Sequence, residues 1–146
     1  MIRRTPVRLA TAVALFFVLA AGCGRGPEVV PVRGRITFGG GPWPKPGVVY
    51  FLPVQSSGGA PLRPAWAKFD IDGRFFATSF REGDGLVPGK YLASVECWEK
   101  PPSMSDPAPP VNAVPERFRS AQSSGLELNV EPGQKSIDIE WNVPKE

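Results

Sequence analysis

The chain has 146 residues, 42% of them hydrophobic and 10% aromatic, with 18 Pro, 16 Gly, two Cys and no His. This length fits one domain, and Pro and Gly at such density interrupt helices, so short strands and turns are expected and long helical bundles are excluded. Without His there is no Ser-His-Asp triad and no His-based zinc site. The formal net charge of +3 comes from Arg3, Arg4 and Arg8, which leave 14 basic against 14 acidic residues beyond position 23 and so argue against a nucleic-acid surface.

In chain order, Met1 to Arg8 is short and basic, and Leu9 to Ala21 is an apolar run broken only by Thr11. A bilayer-crossing helix needs about 20 apolar residues; this run is shorter and ends in small residues, as an export signal does. The segment Leu19-Ala20-Ala21-Gly22-Cys23 resembles a bacterial lipoprotein lipobox, although the family's Leu falls one step later, where Ala20 stands. The resemblance implies cleavage after Gly22, diacylglycerol on the Cys23 sulfur, and a location in the cell envelope. The chain would be lipid-anchored to a membrane, with the outer membrane favoured because Gly24 rather than Asp follows, and its domain would lie in the periplasm or on the cell surface. Ordinary cleavage near Ala21 stays open as the other reading, giving a secreted, non-lipidated binding domain with Cys23 as a free thiol or paired with Cys97.

Residues 24 to 28 read as a short tether. Beyond it Val30, Val32, Ile36 and Phe38 share one face and Arg33, Arg35 and Thr37 the other, the alternation of a half-buried strand. Gly39 to Gly47 is turn material, Val48 to Leu52 a second strand, and Pro53 its end or an edge. A third strand is expected over Ala65 to Asp70. Ile71-Asp72-Gly73 then reads as a hairpin turn of type I′, which needs positive φ at both central positions. Arg74 to Phe80 and Lys90 to Trp98 follow as strands, the latter burying Tyr91, Ala93, Val95 and Cys97. Pro101, Pro102, Pro107, Pro109, Pro110 and Pro115 make the next stretch an irregular excursion. Two more alternating runs, Leu126 to Val130 and Ile137 to Val143, flank a Pro132-Gly133 turn. The expected fold is all-β, a single small antiparallel β-sandwich of about seven strands over residues 29–146, with no helix, preceded by a signal segment over 1–22 and the lipidated Cys and tether over 23–28.

Five stretches carry a second resemblance: Val32-x-Gly34-x-Ile36-Thr37-Phe38, Pro44 with Pro46-Gly47, Val49-x-Phe51-x-Pro53, Asp70-x-Asp72-Gly73-x-Phe75, and Pro88-Gly89-x-Tyr91-x-x-x-Val95. Together they resemble a carboxypeptidase regulatory-like domain, a transthyretin-like sandwich. Ser79-Phe80, Gly83-Asp84-Gly85 and Ser124-Gly125-Leu126 make the chain similar to single-domain bacterial lipoproteins of that kind, and Pro115 to Phe118 departs from their pattern. The resemblance implies a non-catalytic structural or binding module.

Candidate sites are few. Asp70, Asp72 and Asp84, with Glu82, offer the hard oxygen ligands that calcium takes. The twelfth position counted from Asp70 is Arg81, where a calcium loop needs Glu, so turn-forming roles are the plainer reading of these carboxylates. The alternative function they leave open is a small calcium-dependent or carboxylate-based hydrolase. Gly39-Gly40-Gly41 lacks the Lys of a phosphate loop, and Ser56, Ser57, Ser123 and Ser124 lack a base. Trp141 is expected in the core and Trp43 at the surface; core packing is the favoured reading of Trp66 and Trp98, and Trp43, Trp66 and Trp98, if gathered on one face instead, would bind a glycan or a protein. The resulting expectation is a lipid-anchored β-sandwich that is no enzyme, holds no cofactor, contacts the membrane through Cys23, and has an envelope protein or polysaccharide as partner.

Overall fold

A computed structural model describes residues 26–146; the expected signal segment, the expected lipidation at Cys23 and the first residues of the expected tether lie outside them. The fold is all-β. The strands are β1 (Val32–Phe38), β2 (Gly47–Ser56), β3 (Ala65–Phe69), β4 (Arg74–Phe76), β5 (Gly89–Glu96), β6 (Trp98–Lys100), β7 (Val111–Asn112), β8 (Leu126–Val130) and β9 (Ile137–Val143). Seven of them form one sheet in the order β8-β5-β2-β3-β4-β1-β9, and β6 pairs with β7 as a separate ribbon.

The large sheet folds back on itself at β3 and β4, which share only the Phe69–Phe75 pair. This brings β2 and β5 opposite β4 and β9: the Phe51 ring lies 6.3 Å from Phe75, 6.2 Å from Trp141 and 6.4 Å from Tyr91. The inward residues are those that strand alternation selects. Val32 and Ile36 on β1, Val49 and Phe51 on β2, and Tyr91, Ala93 and Val95 on β5 are all buried, each large one contributing about 1.5–3 kcal/mol. Buried polar groups find partners. Tyr91 Oη donates to the Val87 carbonyl at 2.7 Å, and no buried side-chain polar atom among the described residues lacks a hydrogen bond.

Pro53 marks an edge and does not end β2: the strand passes through it, with a β-bulge between Pro53 and Gln55, because β3 has stopped pairing at Phe51 and that edge is free. Four expectations need correction. The β3–β4 turn is not type I′. Asp72 keeps negative φ, and only Gly73 is left-handed, at φ 79°; Gly73 N donates to the Asp70 carbonyl at 2.8 Å, the three-residue hairpin in which glycine alone takes the left-handed position. Any side chain at Gly73 would also strike the Ile36 carbonyl, 1.8 Å from the position of a Cβ. The sheet is not wholly antiparallel, since β9 runs parallel to β1 over its full length. β9 arrives from β8 at the other end of the sheet order, and such a crossover yields parallel pairing where a hairpin cannot.

Residues 99–115 are not entirely irregular, because β7 pairs with β6. Helix is also present, as a 3-10 turn over Glu116–Arg119 and a single α-turn, α1 (Ala121–Ser124). Both fill a gap left beside β5: Phe118 is buried, and Ser124 Oγ donates to the Ala93 carbonyl at 2.6 Å while accepting Leu126 N.

Candidate functional site

The acidic residues do not converge. Asp70 and Asp72 sit on the β3–β4 turn, beside Ile36 near the end of β1, whereas Asp84 lies near Val30, before its start. Six strand residues at about 3.3 Å each put about 20 Å between these positions. Asp70 Oδ1 accepts Arg74 N at 2.9 Å. At Asp72 it is the backbone carbonyl that accepts a bond, from Arg35 Nε at 3.0 Å. Asp84 closes its turn with both oxygens: Oδ1 accepts Ser79 N at 2.8 Å, and Oδ2 accepts Phe80 N at 3.1 Å and Arg81 N at 2.9 Å. Ser79 Oγ adds a bond to the Gly85 carbonyl at 2.8 Å. Among the described residues no group of three or more Asp, Glu, Cys or His is arranged to hold a metal.

Cys97 is buried, with Sγ 3.3 Å from the Lys45 carbonyl. Burial pushes its thiol above the ordinary cysteine value, so it is held in the protonated, unreactive form. The tryptophans do not gather. Trp43, expected at the surface, is 2% exposed: the Gly- and Pro-rich turn folds over the core, where its indole stacks 4.8 Å from Phe38 and donates to the Ile36 carbonyl at 2.7 Å. Trp141 is half-buried and packs against the core as expected. Trp98 stands apart on the β6–β7 ribbon.

What the structure does assemble is an aromatic outer face. On β3 the inward positions are Ala65, Ala67 and Phe69, so Lys68 points outward and so does Trp66, against the expectation of core packing. Tyr50 of β2 is the cross-strand partner of both Trp66 and Ser94, and Trp66 bridges in turn to Thr78. On β4 burying Phe75 forces Phe76 outward, where it is 63% exposed. Trp66 and Phe76 line a shallow groove of about 290 Å³ with Lys68, Thr78, Glu82 and Gly83. Lys68 Nζ lies 5.5 Å from the indole centroid, within cation–π range. Partial burial, assisted by Glu96, holds the Tyr50 phenol above its usual pKa and keeps it a neutral donor beside Trp66.

The groove thus offers an apolar floor with a cation, a carboxylate and the Thr78 hydroxyl, which accepts Gly83 N at 3.0 Å, around it. That combination suits a ligand having one apolar face and a hydroxylated edge. Phe76 and Tyr50 are the residues that motif reading passes over; the signal for Phe76 was the Phe75-Phe76 doublet, since a strand cannot bury two consecutive side chains on one side. Compared with protein-family models, curated proteins and solved structures, the chain matches none.

Proposed function

We propose that this chain is an exported, lipid-anchored, non-catalytic β-sandwich module that binds polysaccharide of the cell envelope through the Trp66–Phe76 groove. The single observation that carries the binding role is the exposed aromatic pair with Lys68, Thr78 and Glu82 at its rim. A sugar ring presents C–H groups to aromatic faces and hydroxyls to polar neighbours. The groove is small and open, so single contacts are weak, and many copies fixed to one membrane gain affinity for a polymer by repeated engagement. Anchoring rests on the lipobox resemblance at Leu19 to Cys23, and the passive role on the resemblance to carboxypeptidase regulatory-like domains. The carboxylates Asp70, Asp72 and Asp84 serve turns in this reading.

The test is retention of the purified domain on isolated peptidoglycan and on outer-membrane polysaccharide. Retention is expected, with Trp66→Ala and Phe76→Ala each weakening it about tenfold, the effect of losing an aromatic contact of about 1.4 kcal/mol; Phe76→Ala, at a ring 63% exposed, should leave the melting temperature nearly unchanged, and Trp66→Ala should lower it modestly through loss of its cross-strand packing on Tyr50. Equal retention of wild type and variants, or none by either, overturns the reading. Mass spectrometry of the mature amino terminus tests the anchor: an acylated Cys23 is expected, and an unmodified thiol removes that part of the proposal.

A further inference from the structure

We propose that the end of the sandwich bearing the Phe80–Asp84 turn rests on the bilayer that carries the anchor, with Phe80 and Leu62 seated among the lipid headgroups. This inference rests on acylation of Cys23 as proposed above and adds an orientation to it. The argument is one of chain length. Gly26, Pro27 and Val29 line the same groove as Phe80, Arg81 and Asp84, and Val30 is locked to Leu86 by reciprocal bonds of 2.8 and 2.9 Å. Two residues, Gly24 and Arg25, separate Cys23 from Gly26, and the three Cα–Cα steps span at most about 10 Å when fully extended. An acylated Cys23 lies at the membrane interface, whose headgroup layer is itself about 5–7 Å deep. The Phe80 turn is therefore held within reach of the headgroups and cannot stand off from them.

That end of the domain has side chains suited to the contact. Phe80 is 44% and Leu62 55% exposed. The Arg63 guanidinium covers one side of the Phe80 ring at 4.0 Å from its centroid, and Arg63 Nε donates to the Ser79 carbonyl at 2.8 Å. An apolar ring beside a long cationic side chain matches a layer that is apolar below and charged above. The charges at this end are mixed: Arg63, Arg81 and Lys135 lie with Glu28, Glu82, Asp84 and Glu131, of which Glu28 accepts Gly133 N at 2.6 Å. The contact accordingly depends on Phe80 and Leu62 more than on anionic lipid, and zwitterionic vesicles suffice to test it.

The experiment uses the mature lipoprotein reconstituted in phosphatidylcholine vesicles, with an environment-sensitive dye on Arg81→Cys or, as the far-end control, on Asp72→Cys. Cys97 is buried, so labelling is confined to the introduced thiol. A blue shift of the Arg81→Cys dye in vesicles relative to detergent-free buffer, absent from the Asp72→Cys dye, is expected, and Phe80→Ser with Leu62→Ser should abolish it while leaving the melting temperature close to that of the parent. Acylated Cys23 by mass spectrometry with no shift at Arg81→Cys, or with equal shifts at both dyes, overturns the seating alone. An unacylated Cys23 overturns the anchor and the seating together.

Discussion

Both oxygens of the Asp84 carboxylate are occupied by turn N–H groups, while among the described residues the Asp72 carboxylate makes no hydrogen bond and only its carbonyl is used. The two residues look alike in sequence and differ in what they hold. Asp84→Ala leaves several N–H groups without their acceptor and is expected to cost about 1–3 kcal/mol. Asp72→Ala should stay within about 0.5 kcal/mol of wild type. Thermal melts of both variants check this, and equal effects would contradict the turn assignment. Tyr91 supplies a second residue-scale prediction. Its burial raises the phenol pKa to about 12, above the usual 10, so the folded state keeps the proton more tightly than the unfolded chain. The associated stability is complete below pH 10 and is lost as pH rises through 12. Tyr91→Phe should flatten that alkaline decline in denaturant titrations, and should cost about 1 kcal/mol at neutral pH through loss of the bond to Val87.

Among the elements, the strands were legible because burial on one side imprints an alternation of period two. The runs at Val32–Phe38, Leu126–Val130 and Ile137–Val143 stand where that alternation puts them. The turn over Gly39–Pro46 was not legible in the same way. Turn composition predicts exposure, and Gly39, Gly40, Pro42, Pro44, Lys45 and Pro46 are exposed, yet Trp43 turns inward and packs against both Phe38 and Phe69, each at 4.8 Å between centroids. That one side chain is part of the core. Trp43→Ala is therefore expected to destabilise by about 3–5 kcal/mol, the cost of a large cavity with an orphaned Ile36 carbonyl, whereas an exposed turn tryptophan would change the melting temperature little. Pro53 offers a comparable lesson, since a residue that reads as a stop is tolerated once a bulge and a free edge remove the demand for its missing N–H.

At the scale of the whole molecule, the tether end and the aromatic groove are neighbours. Glu82 and Gly83 line the groove, and Phe80, Arg81 and Asp84 of the same turn line the surface beside Gly26. A domain seated by that turn would hold the Trp66–Phe76 pair just above the headgroups, facing sideways, and present the Asp70–Gly73 turn and the Gly39–Pro46 turn outward. Polymer lying along the membrane surface would meet the groove first. The two proposals therefore fit one orientation, although each is tested by its own variants.

The sequence by itself determined the class of the fold, the inward series of most strands and the neutral balance of charge, because each follows from local alternation or simple counting. It also contained the doublet that exposes Phe76. Only the tertiary structure decided that β9 joins β1 in parallel from the opposite edge of the sheet, that Asp84 lies near Val30 whereas Asp70 and Asp72 lie beside Ile36, and that Tyr50, Trp66 and Phe76 share one outer face. Those facts concern strands distant in sequence, and strand alternation fixes which way a side chain points without fixing which strand lies beside it.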